Sequence, residues 1–86
     1  MSPGFVLWDL DDDPNGNVLH CAEHGVTKAE VEEAFENMID VDISRSTGLP
    51  VAFGETKAGR HLFVVYEWVD DDTVYPVTAY DVPRRH

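Results

Sequence analysis

Two histidines, His20 and His24, stand four residues apart in the stretch "HCAEHG", and Arg60, His61 and Tyr80 lie far downstream. Cleaving RNA without a metal needs three things. A base takes the 2′-hydroxyl proton, an acid protonates the leaving oxygen, and cations hold the phosphate. His24, His61, Arg60, Arg45, Tyr80, Arg84 and Arg85 supply those residue types. Their spacing does not by itself make them converge, and an arginine opening a strand reads equally well as an ion-paired surface residue. His24 precedes Gly25 at a helix junction, where a ring bonded to the helix end or to a neighbouring strand is the simpler expectation.

Other chemistries find weaker support. "DDDPNG" places Asp11, Asp13, Asn15 and Gly16 in the order that opens an EF-hand calcium loop, and Val18 suits its apolar eighth position. The twelfth position is Ala22, which cannot ligate, and the preceding segment has strand character, so the stretch reads as an Asp/Asn/Gly turn before a helix. His20 and His24 would share a helix face, but a zinc site needs a third or fourth ligand that Cys21, Glu23 and His61 do not supply at suitable spacing. Cys21 falls on an apolar face, where cysteine is inert filling. No serine sits in a nucleophile elbow, and "GETKAG" lacks phosphate-loop spacing. No metal or cofactor is expected.

The elements that would position these residues fit one small domain. A chain of 86 residues supports a sheet packed on one or two helices. A hydrophobic content of 43% is enough for a core and argues against disorder. The formal net charge of −11, with acids gathered at Asp11–Asp13, Glu30–Glu36 and Asp70–Asp72, favours basic partners and repels nucleic acid. A single cysteine excludes an internal disulfide and fits a cytoplasmic setting. No apolar run approaches the ~18 residues of a membrane span, and the N-terminal stretch does not read as a signal peptide.

Phe5 to Asp9 predicts a first strand and "GNVLHCAEHG" a short helix, with Val18, Cys21 and Ala22 on one face and Gly25 ending it. Thr27 and Glu30 have capping-box spacing, Val26 and Val31 are placed for a hydrophobic staple, and Val31, Ala34, Phe35 and Met38 form an apolar stripe. "IDVDI" reads as a short strand or an extended connection; "VAFGET", "RHLFVVYEWV" and "TVYPVTAYDV" read as strands. Both rows of the middle one are apolar at the centre, which places it mid-sheet. Pro76 places the last strand at an edge, or bulges it there. "PRRH" is a short basic tail. Helices followed by an antiparallel meander argue α+β: two N-terminal helices on an antiparallel sheet of about four strands.

Three pieces taken in order, "WDL" with "EHGVTKAEVEEAF", then "AFGETKAGRHLFVVYEW", then "VYPVTAY", resemble the BrnT-like toxin family of bacterial type II toxin–antitoxin systems. The resemblance runs from about Phe5 to Val82 and is carried by Trp8, Asp9, His24, Gly25, Val26, Phe35, Gly54, Gly59 and Arg60. It implies a RelE-like α+β fold, metal-independent RNA cleavage, and a small basic ribbon-helix-helix antitoxin as partner. Arg60 would then hold phosphate, and His24 or Tyr80 would move protons. The chain departs from the family where Glu23 replaces a lysine, where Tyr80 replaces an arginine, and where Leu49 and Pro50 stand in place of a basic residue. Each departure removes a cation. Two functions are therefore expected from the sequence: a toxin-family ribonuclease with an altered site, or a non-catalytic acidic module on the same scaffold. The module would bind a basic protein through an acidic face or an open sheet edge.

Overall fold

The computed structural model describes residues 3–82. The tail arginines Arg84 and Arg85 lie outside the described residues. In chain order the elements are β1 (Phe5–Val6), α1 (Asn17–Glu23), α2 (Lys28–Glu36), β2 (Met38–Ile43), β3 (Pro50–Glu55), β4 (His61–Trp68) and β5 (Thr73–Asp81). The fold is α+β, with two helices on a five-stranded mixed sheet ordered β1-β5-β4-β3-β2. Among the described residues, no helix is long and apolar enough to cross a membrane.

α2 forms where its local signals place it. The Thr27 side chain accepts from the Glu30 N–H, and the Glu30 carboxylate accepts from the Thr27 N–H, so two orphan donors of the first turn are satisfied reciprocally. Val31, Ala34 and Phe35 are buried, and Val26 enters the same core; Met38, expected to extend the helical stripe, instead opens β2 beyond the cap at Asn37 and packs on the core from there. α1 has no such cap, because Gly16 offers no side chain. Its first-turn donor at Asn17 is met instead by the Asp9 carboxylate, at 2.9 Å from eight residues upstream. Along α1 only Asn17 and Cys21 are buried; Ala22, expected on the apolar face, is exposed. Gly25, at φ 74°, makes the left-handed turn between the helices.

The sheet differs from the expected four antiparallel strands in two ways. β1 is confined to Phe5–Val6 and pairs parallel with β5, because beyond the Leu7 N–H, which still donates to the Val74 carbonyl at 2.8 Å, the Leu7 carbonyl and the Asp9 N–H turn to Asn17 and fasten the loop to α1. β5 is therefore an interior strand, not an edge. Pro76 is accommodated by the other expected device, a bulge: Val65 pairs with Thr78 while Tyr66 pairs with Pro76, leaving Val77 as the extra residue. β4 is central, as its two apolar rows require, with β3 and β5 antiparallel on either side. "IDVDI" is strand, and β2 closes one edge.

The core lies between the helices and one face of the sheet. It gathers Cys21, Val26, Val31, Ala34 and Phe35 from the helical half with Ala52, Leu62, Val64, Tyr66, Val74 and Ala79 from the strands. Phe35 meets Tyr66 edge-on at 5.2 Å between ring centroids. α2 approaches β3 so closely that a Cβ on Gly54 would lie 2.0 Å from the Ala34 carbonyl oxygen.

Candidate functional site

The start of β4, the end of β5 and the turn between the helices meet at one corner of the molecule. His24 caps the end of α1, and its backbone N–H donates to the Cys21 carbonyl at 3.0 Å. Its ring lies 6.1 Å from the Tyr80 ring and 6.4 Å from that of His20, centroid to centroid. No hydrogen bond to the His24 ring appears among the described residues, so the expected tie to a helix end or strand is replaced by ring-to-ring contact. Arg60, just ahead of β4, reaches the Gly25 carbonyl in the turn beside His24 and Asp81 at the end of β5.

Arg60 is engaged at every edge of its guanidinium. One terminal nitrogen donates to the Gly25 carbonyl at 2.8 Å and to both Glu30 oxygens at 2.9 and 3.0 Å. The other terminal nitrogen donates to Asp81 at 2.8 Å, and Nε donates to the second oxygen of the same carboxylate. This fork geometry suits arginine and not lysine. Hydrogen bonds to Asp81 and then Glu30 raise the arginine's affinity for its proton still further. The hydrogen bond from Arg60 holds the Asp81 carboxyl below its ordinary value. Burial pushes the Glu30 carboxyl up, but hydrogen bonds from the Thr27 backbone and from Arg60 outweigh it and hold it low. The corner thus sets His24 against Tyr80, ring to ring, and places two carboxylates directly on Arg60, which meets the neighbours of those rings, the Gly25 carbonyl and Asp81. One positive charge faced by two negative ones leaves a net negative field where a phosphate would have to sit.

A second polar cluster had no signal in the sequence beyond Asp9 itself. The Asn17 side chain, 2% exposed, accepts from the Asp9 N–H at 2.9 Å and donates to the Leu7 carbonyl at 3.0 Å. The Tyr75 hydroxyl donates to Asp9 at 2.5 Å. That bond holds the Asp9 carboxyl down, with the Asn17 N–H assisting, and pushes the Tyr75 phenol up to about 12. These groups latch the N-terminal loop to α1 and β5. The neighbouring Trp8 donates its indole N–H to Glu32 at 3.0 Å. Trp8, Asp9, Gly25, Gly54 and Arg60, which carried the family resemblance, are all occupied in holding the scaffold together.

The metal candidates do not assemble. Asp11 pairs with Lys28 at 2.8 Å, and Asp13 accepts from the Asn15 N–H in an Asx turn. Among the described residues no three His, Cys, Asp or Glu side chains are grouped to hold an ion. Cys21 is 1% exposed, and burial pushes its thiol up to about 11, which makes it filling and not a nucleophile.

A third feature lies on the sheet face opposite the helices. Phe53, Phe63 and Tyr80 are in register across β3, β4 and β5, with ring centroids 5.5 and 5.9 Å apart. His61 extends the row, its ring 5.6 Å from Phe53. The alternating apolar residues of "HLFVVYEW" carried this signal, since the row His61, Phe63, Val65 faces away from Leu62, Val64 and Tyr66. No protein-family model, curated protein or solved structure matches the chain.

Proposed function

We propose that this protein is a non-catalytic, acidic protein-binding module that engages a basic partner. The observation that carries the reading is the state of Arg60. It is the cation that the ribonuclease reading would use to hold phosphate, and it is bonded to Glu30, Asp81 and the Gly25 carbonyl. Releasing it to hold a phosphate would strand two carboxylates and break the contact between the helix turn and β5. A net charge of −11 adds a long-range repulsion of RNA and an attraction for basic proteins. A small basic antitoxin-like protein of the ribbon-helix-helix kind has the matching charge.

A toxin-like ribonuclease on a BrnT-like, RelE-like scaffold is the second reading, favoured by the approach of the His24 and Tyr80 rings to 6.1 Å. One experiment separates the two: incubation of RNA with the purified protein, with and without chelator, beside Arg60→Ala and His24→Ala. The binding module leaves RNA intact in every case, and its overproduction does not slow growth. Chelator-resistant cleavage lost in His24→Ala would establish the ribonuclease and overturn the first reading.

A further inference from the structure

The sheet has one face under the helices and one face that no described helix covers, save where the His24 ring at the end of α1 meets Tyr80 at its rim. A sheet of this kind ordinarily alternates apolar residues toward the core with polar residues toward water. Here the open face departs from that rule. Its central rows run Asp40–Phe53–Phe63–Tyr80 and Asp42–Val51–Val65–Thr78 across β2 to β5. The apolar side chains occupy the middle: Val51, Phe53 and Phe63 are half-buried, Val65 is buried and Tyr80 is exposed, so the patch is a partly accessible apolar surface of the kind that marks an interaction site.

Charge around the patch specifies what it can receive. Strands β2, β3, β4 and β5 contain no lysine or arginine. Asp40 and Asp42 stand at the β2 side of the open face, Glu55 at the end of β3 and Glu67 toward the end of β4. An aromatic row on a sheet also suits stacked bases, but single-strand platforms combine the rings with a cationic groove, and this one is framed by carboxylates. A second copy would bring the same carboxylates against these.

The β2 edge of the sheet is closed to an added strand. The Ser44 N–H pairs with the Leu49 carbonyl at 2.8 Å, which sets the alternation so that the Val41 and Ile43 N–H groups point away from β3. The Asp40 and Asp42 carboxylates accept from those two groups at 2.9 and 2.8 Å. A partner strand would have to displace both, so the edge is blunted. Across β2 to β5 the open face is about 15 Å wide at the usual strand spacing, which is a bed for one helix of about 10–12 Å diameter.

We propose that the face centred on Phe53, Phe63 and Tyr80 docks an amphipathic helix of a basic protein. The helix lays its apolar stripe on the ring row and its lysines or arginines against Asp40, Asp42, Glu55 and Glu67. This rests on the protein-binding reading above and names its surface. The bound helix completes a third layer, opposite α1 and α2.

The test uses the full chain and a synthetic amphipathic helix with leucine on one side and lysine on the other. A second peptide has the same lysines and glutamine in place of leucine. Binding is read by titration calorimetry and by amide chemical-shift mapping, on the wild type, Phe63→Ser and Tyr80→Ser. Tyr80 is 39% exposed, so its variant keeps the test valid if Phe63→Ser unfolds. The expected result is saturable binding of the leucine peptide, with shifts in β3–β5, weakened at least about ten-fold by either folded variant. No binding, equal binding of the glutamine peptide, or binding unchanged in the variants overturns the proposal. Shifts confined to Glu32, Glu33 and Glu36 on α2 also overturn it, while leaving the protein-binding reading in place. A single-stranded RNA probe whose binding Tyr80→Ser abolishes would make the face a nucleic-acid platform. A dimer in sedimentation that the same change dissociates would make the occupant a second copy. Either outcome overturns the basic-helix assignment, and RNA cleavage overturns the protein-binding reading itself.

Discussion

Replacing Arg60 with alanine removes a side chain that ties the turn between the helices to both α2 and β5. It deletes bonds to Glu30 at 2.9 and 3.0 Å, to the Gly25 carbonyl at 2.8 Å and to both oxygens of Asp81. The arginine and Glu30 side chains are about one-quarter exposed, at 27% and 25%, whereas Asp81 is 58% exposed. The Asp81 pair is therefore screened toward the surface value of about 0.2–1 kcal/mol. The half-buried Glu30 pair and the charge-assisted bond to Gly25 are each worth about 1 kcal/mol after the same discount. The loss is about 2–3 kcal/mol. A domain of this size has a total stability of about 4–13 kcal/mol. At about 4–8 °C per kcal/mol, the melting temperature falls by about 10–20 °C. Urea denaturation should show a midpoint lower by about 1–2 M with an unchanged slope. A cycle with Asp81→Ala, read the same way, should show the two positions coupled. A loss below about 0.5 kcal/mol would refute the reasoning. So would an Arg60→Ala protein as stable as the wild type that had lost a measurable activity, since Arg60 would then belong to a site and not to the scaffold.

Three further outcomes follow from the same contacts. Glu30 and Asp81 have folded-state affinities for protons that lie below their unfolded values, so their contribution is complete above about pH 5 and is lost as pH falls through about 4 and into the folded values. Acid titration of stability should therefore fall more shallowly in Arg60→Ala than in the wild type; parallel curves would show that these carboxylates are not coupled to the arginine. Gly54→Ala places a methyl group 2.0 Å from the Ala34 carbonyl oxygen and 2.7 Å from its carbon, both backbone atoms, and should cost about 3 kcal/mol or more. A normal melting curve for that variant would contradict the close approach of α2 to β3. Tyr75, pushed up to about 12 by its bond to Asp9, should titrate well above the ordinary tyrosine range in a spectrophotometric titration. Asp9→Asn should bring it down toward the ordinary value of about 10, and no change would mean that the latch does not form.

The electrostatic pattern connects these points to function. The positive charge that a phosphate site would need is neutralised inside the fold, while the acidic and aromatic surface remains outside. Arg60 and the blunted β2 edge act in the same direction. On the proposed reading the first disfavours phosphate capture and the second disfavours strand addition at β2, two routes that the sequence left open.

The local hydrogen bonds and the short-range periodicity were legible in the chain itself. The Thr27–Glu30 cap, the Val31–Ala34–Phe35 stripe, the turn at Gly25 and the central place of β4 each depend on residues within about one turn or one strand, so the sequence contains the whole cause. His24, Arg60 and Tyr80 were legible as residue types, but not the carboxylates that meet Arg60. Glu30 lies 30 residues before it and Asp81 lies 21 after. The same distance hid the Asp9–Asn17–Tyr75 latch, in which Tyr75 is 66 residues from Asp9. Pro76 permitted an edge or a bulge, and only the parallel pairing of β1 with β5 decided for the bulge. The two apolar rows of β4 predicted a mid-sheet strand with equal force for a covered or an uncovered second face. Tertiary structure decided that both helices lie on one side, because a side chain's partner across the fold depends on which elements come to be neighbours, and no local pattern contains that information.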